Sequence, residues 1–208
     1  MGVLSAQLFT FIQGAEIYRQ LHRQAVELMP PGGGRAWFDI GCGPGLVVRM
    51  AAQRGYLATG WDIDMAMIRQ ALRLTRLDAS TVTFSVAGLD ALGASAHKAD
   101  VVSATSLLAV LDDTVAAIRK LFLCLNEGGA LLVIETTAAM KPRAAWTVLR
   151  EIGFQRRNWV LLLWAWTRRN RRAVELSPIY NAGFSVTRTE LLRGLVAAWI
   201  ISRDGTRC

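Results

Sequence analysis

The chain has 208 residues, 52% apolar and 19% charged, which suffices for one domain with a sizeable core and excludes wholesale disorder. Three scattered cysteines (Cys42, Cys124, Cys208) fit neither a disulfide framework nor a paired-cysteine zinc site, and with only two histidines, His22 and His97, no metal is expected. The net charge of +8 sits in one place: Lys141 to Arg172 carries one lysine, eight arginines and a single acid, Glu151, while the rest of the chain sums to zero.

In chain order, the spacing of Leu8, Phe11, Ile12, Ala15, Tyr18 and Leu21 predicts one helix over Leu4–Leu28, ended by Pro30-Pro31-Gly32-Gly33-Gly34. Short apolar runs then alternate with helical stretches. Strands are predicted at Ala36–Ile40, Ala58–Trp61, Val82–Val86, Asp100–Ala104 and Ala130–Glu135, with helices over Leu46–Arg54, Met65–Arg76 and Asp113–Leu125 and a turn at Asn126–Gly129. Such alternation implies β-α-β units and a parallel sheet covered on both faces. Phe184–Thr189 and Val196–Ser202 read as two further strands, too closely connected to be anything but antiparallel. No apolar run reaches the roughly 18 residues of a membrane-spanning helix, and Met1–Glu16 lacks the basic start of a secretion signal. A cytoplasmic protein is expected, although the mean hydropathy of +0.29 is high.

The chemical signal lies in Phe38-Asp39-Ile40-Gly41-Cys42-Gly43-Pro44-Gly45, which leaves the first strand and opens a helix. Glycines there let the backbone turn tightly against a ligand, and helix-start amides favour a negative group, either a pyrophosphate or an amino-acid carboxylate. Leu46 stands where a dinucleotide fingerprint wants its third small residue. Asp62 ends the second strand in Gly60-Trp61-Asp62-Ile63-Asp64, where a carboxylate can accept two ribose hydroxyls; NAD enzymes share that feature.

Taken with three later segments, this pattern resembles the class I S-adenosylmethionine-dependent methyltransferases of small-molecule type, over about Arg35 to Arg203. The segments are Val86-Ala87-Gly88-Leu89-Asp90 after the third strand, Asp100-Val101-Val102-Ser103 with Leu107–Asp113, and Leu125–Ile134 with its Asn-Glu-Gly-Gly turn. The resemblance implies a Rossmann-like seven-stranded α/β sandwich, mostly parallel with the last strand antiparallel, and an N-terminal helical lid. One domain would span 1–208, with a lid at 1–34, a cofactor-binding half at 35–140, a basic tryptophan-rich insert at 141–178 and C-terminal strands at 179–208. The resemblance further implies that Asp39, Gly41, Cys42, Gly43 and Gly45 surround the methionine half of S-adenosylmethionine, with Ser103 alongside. Asp62 would hold the ribose, Ile63 would pack on the adenine, and Leu89 or Asp90 would meet the adenine edge. Cys42 is expected as a small loop residue and not as a nucleophile.

Methyl transfer from a sulfonium needs alignment above all, and a base only where the nucleophile arrives protonated. The Pro-Pro-Tyr/Phe signature of nucleic-acid amino-methylases is missing after the fourth strand, where the chain reads Ser103-Ala104-Thr105-Ser106, and Ala109-Val110 replaces the loop histidine of many small-molecule relatives. Candidate catalytic residues are Tyr18 and His22, one turn apart on the N-terminal helix, and Glu135 at the end of the fifth strand. His97 is expected at the surface.

The basic insert centres on Arg156–Arg172, where arginines bracket an eight-residue apolar stretch with Trp159, Trp164 and Trp166. That composition suits an interfacial helix at a membrane surface, a lid over the acceptor, or a base-stacking patch; a dimer contact is a further reading. The expected activity is methyl transfer to a small apolar or amphiphilic acceptor, lipid- or quinone-like, by a cytoplasmic protein that can sit peripherally on the inner membrane face. An RNA or protein methyltransferase, or a non-catalytic module of the same fold, is the alternative.

Overall fold

Strand β1 (Ala36–Ile40) lies between β2 (Leu57–Asp62) and β4 (Ala99–Thr105), parallel to both. A computed structural model describes residues 3–75, 80–92, 98–154, 157–169, 173, 174, 176, 179 and 184–203. Its seven strands form one sheet in the order β3-β2-β1-β4-β5-β7-β6, where β3 is Val82–Val86, β5 Leu125–Thr136, β6 Phe184–Leu191 and β7 Val196–Arg203. Strands β1 to β5 are mutually parallel, and β7 runs antiparallel to both β5 and β6, as expected. Because β1 and β4 are covered on both faces, their residues are mostly apolar; of the polar ones Asp39 and Ser103 are buried, while Asp100 and Thr105, near the two ends of β4, are half-buried.

The predicted N-terminal helix is two: α1 (Val3–Gln13) and α2 (Glu16–Glu27). Gly14 lowers helix propensity at the junction by about 1 kcal/mol, and Ala15 is extended there (φ −71°, ψ 136°). The break turns the second helix so that Tyr18, Leu21, His22, Ala25 and Val26 all face the sheet. Helices α3 (Leu46–Gln53) and α4 (Met65–Leu74) follow β1 and β2; Asp64 caps α4 by accepting from the Ala66 amide at 2.8 Å. A short helix α5 (Leu89–Leu92), unpredicted, follows β3, and α6 (Thr114–Leu123) precedes β5.

The turn predicted at Asn126–Gly129 lies inside β5 as a wide bulge. Ala99 pairs with Leu125 and Val101 with Ala130, so Asp100 alone faces the whole Asn126–Gly129 segment. Asp100 holds the bulge: one carboxylate oxygen accepts from Asn126 Nδ2 at 3.1 Å and the other from the Ala36 amide at 2.8 Å.

The insert supplies α7 (Pro142–Ile152) and α8 (Val160–Arg168). Lys141 Nζ donates to the Arg169 carbonyl at 3.2 Å, and Asn158 Nδ2 to the Gly153 carbonyl at 3.0 Å, so the two helices run as an antiparallel hairpin. Their buried residues join those of α2 and α3 in one core; α6 and the segment around Leu176 and Ile179 build the core on the other face. Half of the apolar stretch expected at an interface thus belongs to the interior: Val160, Leu161, Trp164 and Ala165 are buried. Among the described residues, no helix is long and apolar enough to cross a membrane.

Candidate active site

The glycine loop is built by backbone that only glycine adopts cheaply. Gly41, Gly43 and Gly45 have φ of 71°, 51° and 76°. At Gly45 space is equally decisive: a Cβ would stand 2.6 Å from Phe84 Cε1. The loop is locked to β2, since the Gly41 and Cys42 amides both donate to the Trp61 carbonyl, at 2.8 and 2.9 Å.

Asp62 is joined to that loop directly. Its Oδ2 accepts from the Gly43 amide and its Oδ1 from the Asp64 amide, both at 2.8 Å. Burial raises its pKa, and the two amides oppose that shift. The carboxylate remains partly exposed, with lone pairs left to accept a diol. Ile63 beside it is 79% exposed, an apolar side chain open to solvent next to the carboxylate, and its Cδ1 lies 3.6 Å from where a Cβ on Gly88 would be.

Asp39 is fully buried beneath the loop. Ser103 Oγ donates to its Oδ1 at 2.6 Å, and Trp37 Nε1 donates to Ser103 Oγ at 2.8 Å. Desolvation raises the Asp39 carboxyl to about 7, against the Ser103 hydrogen bond; Asp62 pushes the same way as burial. Cys42 is buried and its thiol is pushed far up by desolvation and by the two aspartates, so it is not a thiolate nucleophile.

Over the loop sits the N-terminal pair of helices. A cavity of about 40 Å³ is lined by Phe9, Gln13, Tyr18 and His22 from above, and by Asp39, Gly41, Cys42, Gly43, Leu46, Val47, Thr105 and Ser106 from below. Sequence reasoning missed Gln13 and Thr105. Gln13 Oε1 and Thr105 Oγ1 are buried with no hydrogen-bond partner, and Gln13 Nε2 is 3.8 Å from the position of a Gly43 Cβ. His22 Nδ1 bonds the Tyr18 carbonyl at 2.7 Å; since a carbonyl only accepts, the ring proton is on Nδ1 and Nε2 is the lone-pair nitrogen. Burial lowers His22 to about 4, so it is neutral near pH 7. Its ring stacks on Tyr18 with centroids 4.1 Å apart, and Tyr18 meets Trp164 of α8 at 5.1 Å. Desolvation holds the Tyr18 hydroxyl well above its usual range, with a hydrogen bond from the Gln13 side chain opposing it.

Glu135 lies at the C-terminal end of β5 and is 1% exposed. Its Oε1 accepts from the Ala109 amide at 3.3 Å; its Oε2 has no partner. Burial raises the carboxyl to about 7, and the Arg168 guanidinium draws it back down. Arg168, in the last turn of α8, is itself buried, with Nη1 unpartnered. Nothing in the sequence separated it from the other arginines of the insert.

Not every predicted residue converges. The Asp90 carboxylate is turned to Lys120 Nζ of α6 as an exposed ion pair and does not join the cradle. Leu89 packs instead against the core on the α6 side. His97, Arg156, Arg171 and Arg172 lie outside the described residues. Among the described residues, no cluster of three or more His, Cys, Asp or Glu could hold a metal.

The cradle fits S-adenosylmethionine on its own chemistry. Asp62 offers a diol acceptor beside the exposed apolar side chain of Ile63, and the buried carboxylate of Asp39 with the orphaned Gln13 and Thr105 oxygens suits a cationic amino acid and sulfonium.

Residues 38–129 match the family model described as a methyltransferase domain. Among solved structures, magnesium protoporphyrin IX methyltransferase from Synechocystis PCC 6803 with bound SAH is 19% identical, covers 97% of this chain and 95% of its own, and has a TM-score of 0.65. The plantazolicin methyltransferase BpumL in complex with SAH is 12% identical, covers 95% of this chain and 89% of its own, with a TM-score of 0.64. An S-adenosylmethionine-dependent methyltransferase from Mesorhizobium loti is 20% identical, covers 92% of this chain and 100% of its own, with a TM-score of 0.63. A search of curated proteins found no match. At such identities the shared property is the fold.

Proposed function

We infer that this chain, whose residues 38–129 are a methyltransferase domain in the class I fold, transfers the methyl group of S-adenosylmethionine to a small amphiphilic acceptor. The observation that carries the reading is the tie between Asp62 and Gly43: one carboxylate both sets the glycine loop and keeps lone pairs for the ribose. Asp39, Gln13 and Thr105 would hold the methionine half, and Ile63 would lie along the adenine. When bound, the cofactor supplies an electrophilic methyl on a positively charged sulfur. The protein's part is to align the nucleophile and exclude water; alignment alone is worth roughly 7–11 kcal/mol. Phe9 and Tyr18 close over the loop, and Leu46 and Val47 line the cavity from below. A closed pocket of this kind suits a small acceptor better than an RNA or a folded protein, which need an open groove.

Amphiphilic character, lipid- or quinone-like, follows from the insert. Its hairpin carries exposed Trp146, Phe154, Trp159 and Trp166 among arginines, the composition of a helix that rests on anionic lipid. In this reading the protein is cytoplasmic and visits the inner membrane face. The test has two parts. Calorimetric titration should show binding of S-adenosylmethionine and of its demethylated product; no binding of either removes the enzyme. Labelled-methyl transfer to a cell extract, partitioned into lipid, RNA, protein and small-molecule fractions, should place the label in the lipid or small-molecule fraction. Label in RNA or protein would replace the acceptor class.

A further inference from the structure

We propose that Glu135 and Arg168 together bind the acceptor's nucleophilic oxygen, and that the acceptor group is an acidic hydroxyl, a phenol or an enol. The proposal rests on the methyl-transfer reading above and names the substrate class for that site.

Two buried polar atoms point to it. Glu135 Oε2 and Arg168 Nη1 have no hydrogen-bond partner, although the residues are 1% and 9% exposed. The two groups feel each other electrostatically, yet no ion pair joins them among the described residues. Buried charges left in this way are costly, and proteins ordinarily pair them. A ligand atom that donates to the carboxylate and accepts from the guanidinium would satisfy both at once. The position agrees: in sheets of this type ligands bind outside the C-terminal ends of the strands, and Glu135 is the last residue but one of β5, as Thr105 ends β4 and Gly41 follows β1. Tyr18 of α2 lines the cavity over the glycine loop and feels the charges of Glu135, Arg168 and Asp39, which places the pair electrostatically within reach of that loop.

The charges select the nucleophile. An amine arriving as an ammonium would meet the Arg168 cation. A carboxylate has no proton to offer Oε2 and would repel Glu135. A hydroxyl does both jobs with one oxygen. The groups facing Glu135 are the Arg168 guanidinium from α8, the Tyr18 hydroxyl from α2 and the amides of Leu108, Ala109 and Thr136. Burial raises Glu135 to about 7, which matches it to accept a proton from an acidic hydroxyl near neutral pH. In the transfer, the hydroxyl proton passes to Glu135 Oε2 as the oxygen's electron pair forms the new C–O bond. The C–S bond of the sulfonium donor breaks with its pair left on sulfur, and Arg168 Nη1 donates to the oxygen as negative charge builds on it. Glu135 then returns the proton to solvent.

Para-nitrophenol tests this without turnover, because its absorption separates phenol from phenolate. It should bind the full chain saturably with the demethylated cofactor present, and benzylamine and benzoate should bind at least about tenfold more weakly. Arg168→Met should weaken binding and lower the ionisation constant of the bound probe by about tenfold, whereas Glu135→Gln should raise that constant by about tenfold. Arg168→Lys should fall between wild type and Arg168→Met. Opposite shifts in variants that still bind the demethylated cofactor support the proposal, because a structural role would not move the constant in two directions. No saturable binding by the wild type, equal constants in all variants, or preference for benzylamine or benzoate overturns it. A wild type that binds the probe with these shifts but never binds the cofactor would overturn the methyl-transfer reading and leave the pair's binding role standing.

Discussion

Ser103 Oγ donates to Asp39 Oδ1 at 2.6 Å from the adjacent strand, with neither residue reaching solvent. The bond does not offset the burial of a carboxylate, so Asp39 is raised to about 7 and Glu135 likewise, while His22 is lowered to about 4. For the two acids the folded chain holds protons more tightly than the unfolded chain. Their favourable contribution is complete below about pH 4 and is lost as pH rises to about 7. For His22 the sign reverses: its contribution is present above about 6.5 and is lost as pH falls toward 4. Two groups outweigh one, so the ligand-free protein should be more stable at about pH 5.5 than at about 7.5. Asp39→Asn should add about 2 kcal/mol at the higher pH and flatten the slope. Urea denaturation at both values checks it; stability that climbs with pH between them would contradict the assignment.

Asp62 is the acid that both sets the loop and faces outward. Asp62→Ala removes the acceptor of the Gly43 and Asp64 amides together with the lone pairs proposed for the ribose, and should weaken cofactor binding about a hundredfold, near 2.7 kcal/mol. Asp62→Asn keeps one acceptor oxygen and should cost about tenfold. Titration with the demethylated cofactor distinguishes them, and an asparagine variant that binds as well as wild type would show that the carboxylate is structural only.

Gly45 and Gly33 separate steric from backbone effects. Both have positive φ, 76° and 58°, but a Cβ at Gly45 meets Phe84 at 2.6 Å whereas one at Gly33 meets nothing within 4 Å. Gly33→Ala should cost about 1 kcal/mol of backbone strain. Gly45→Ala should cost that and about 1–3 kcal/mol more for overpacking. Thermal unfolding of the two variants gives the comparison; equal losses would mean that Phe84 moves aside freely.

The lid over the loop gives a further prediction. Phe9 and Gln13 of α1 line the cavity above the glycine loop, so a cofactor entering there should displace α1. Chymotryptic cleavage at Phe9 or Phe11 should change several-fold in rate when the demethylated cofactor is added at saturation. An unchanged rate would mean that the cofactor enters without disturbing α1.

The glycine loop and its neighbour Asp62 were legible because their signals are local: glycines need positive φ wherever they stand in the fold, and Asp62 follows its strand at a readable spacing. The parallel β-α-β units and the antiparallel pairing of β6 with β7 followed from connection lengths in the same way. What escaped depends on contacts between distant segments. The break at Gly14 is set by which face of α2 must meet the sheet. Asp90 is drawn off by Lys120 of another helix, thirty residues on. Arg168 looks like its neighbours in the sequence, and only the packing of α8 against α2 buries it beside Glu135. Trp164 shows the same limit, reading as one more interfacial tryptophan until its ring is found against Tyr18.

The outer face of the α7–α8 hairpin gives the last prediction. Trp146 and Phe154 pack edge to face at 5.6 Å yet are 46% and 54% exposed, and Trp166 is 56% exposed with the Arg169 guanidinium 4.0 Å above its ring. Rings in water beside arginines would suit the proposed headgroup layer, where the ring would be half-desolvated and the guanidinium would meet phosphate. Each arginine near an anionic surface is worth about 1 kcal/mol. Vesicles with about a third anionic lipid should therefore pellet the protein, and salt should release it within the range where the Debye length falls below about 10 Å. Replacing Arg143, Arg150 and Arg169 by Glu should weaken pelleting by at least about a hundredfold, from three lost attractions and three added repulsions. Trp159→Ala with Trp166→Ala should weaken it even at high salt, since that part is apolar. If both variants pellet like the wild type, or the wild type does not pellet at all, the hairpin is a lid and nothing more, and the acceptor must come to the enzyme through water.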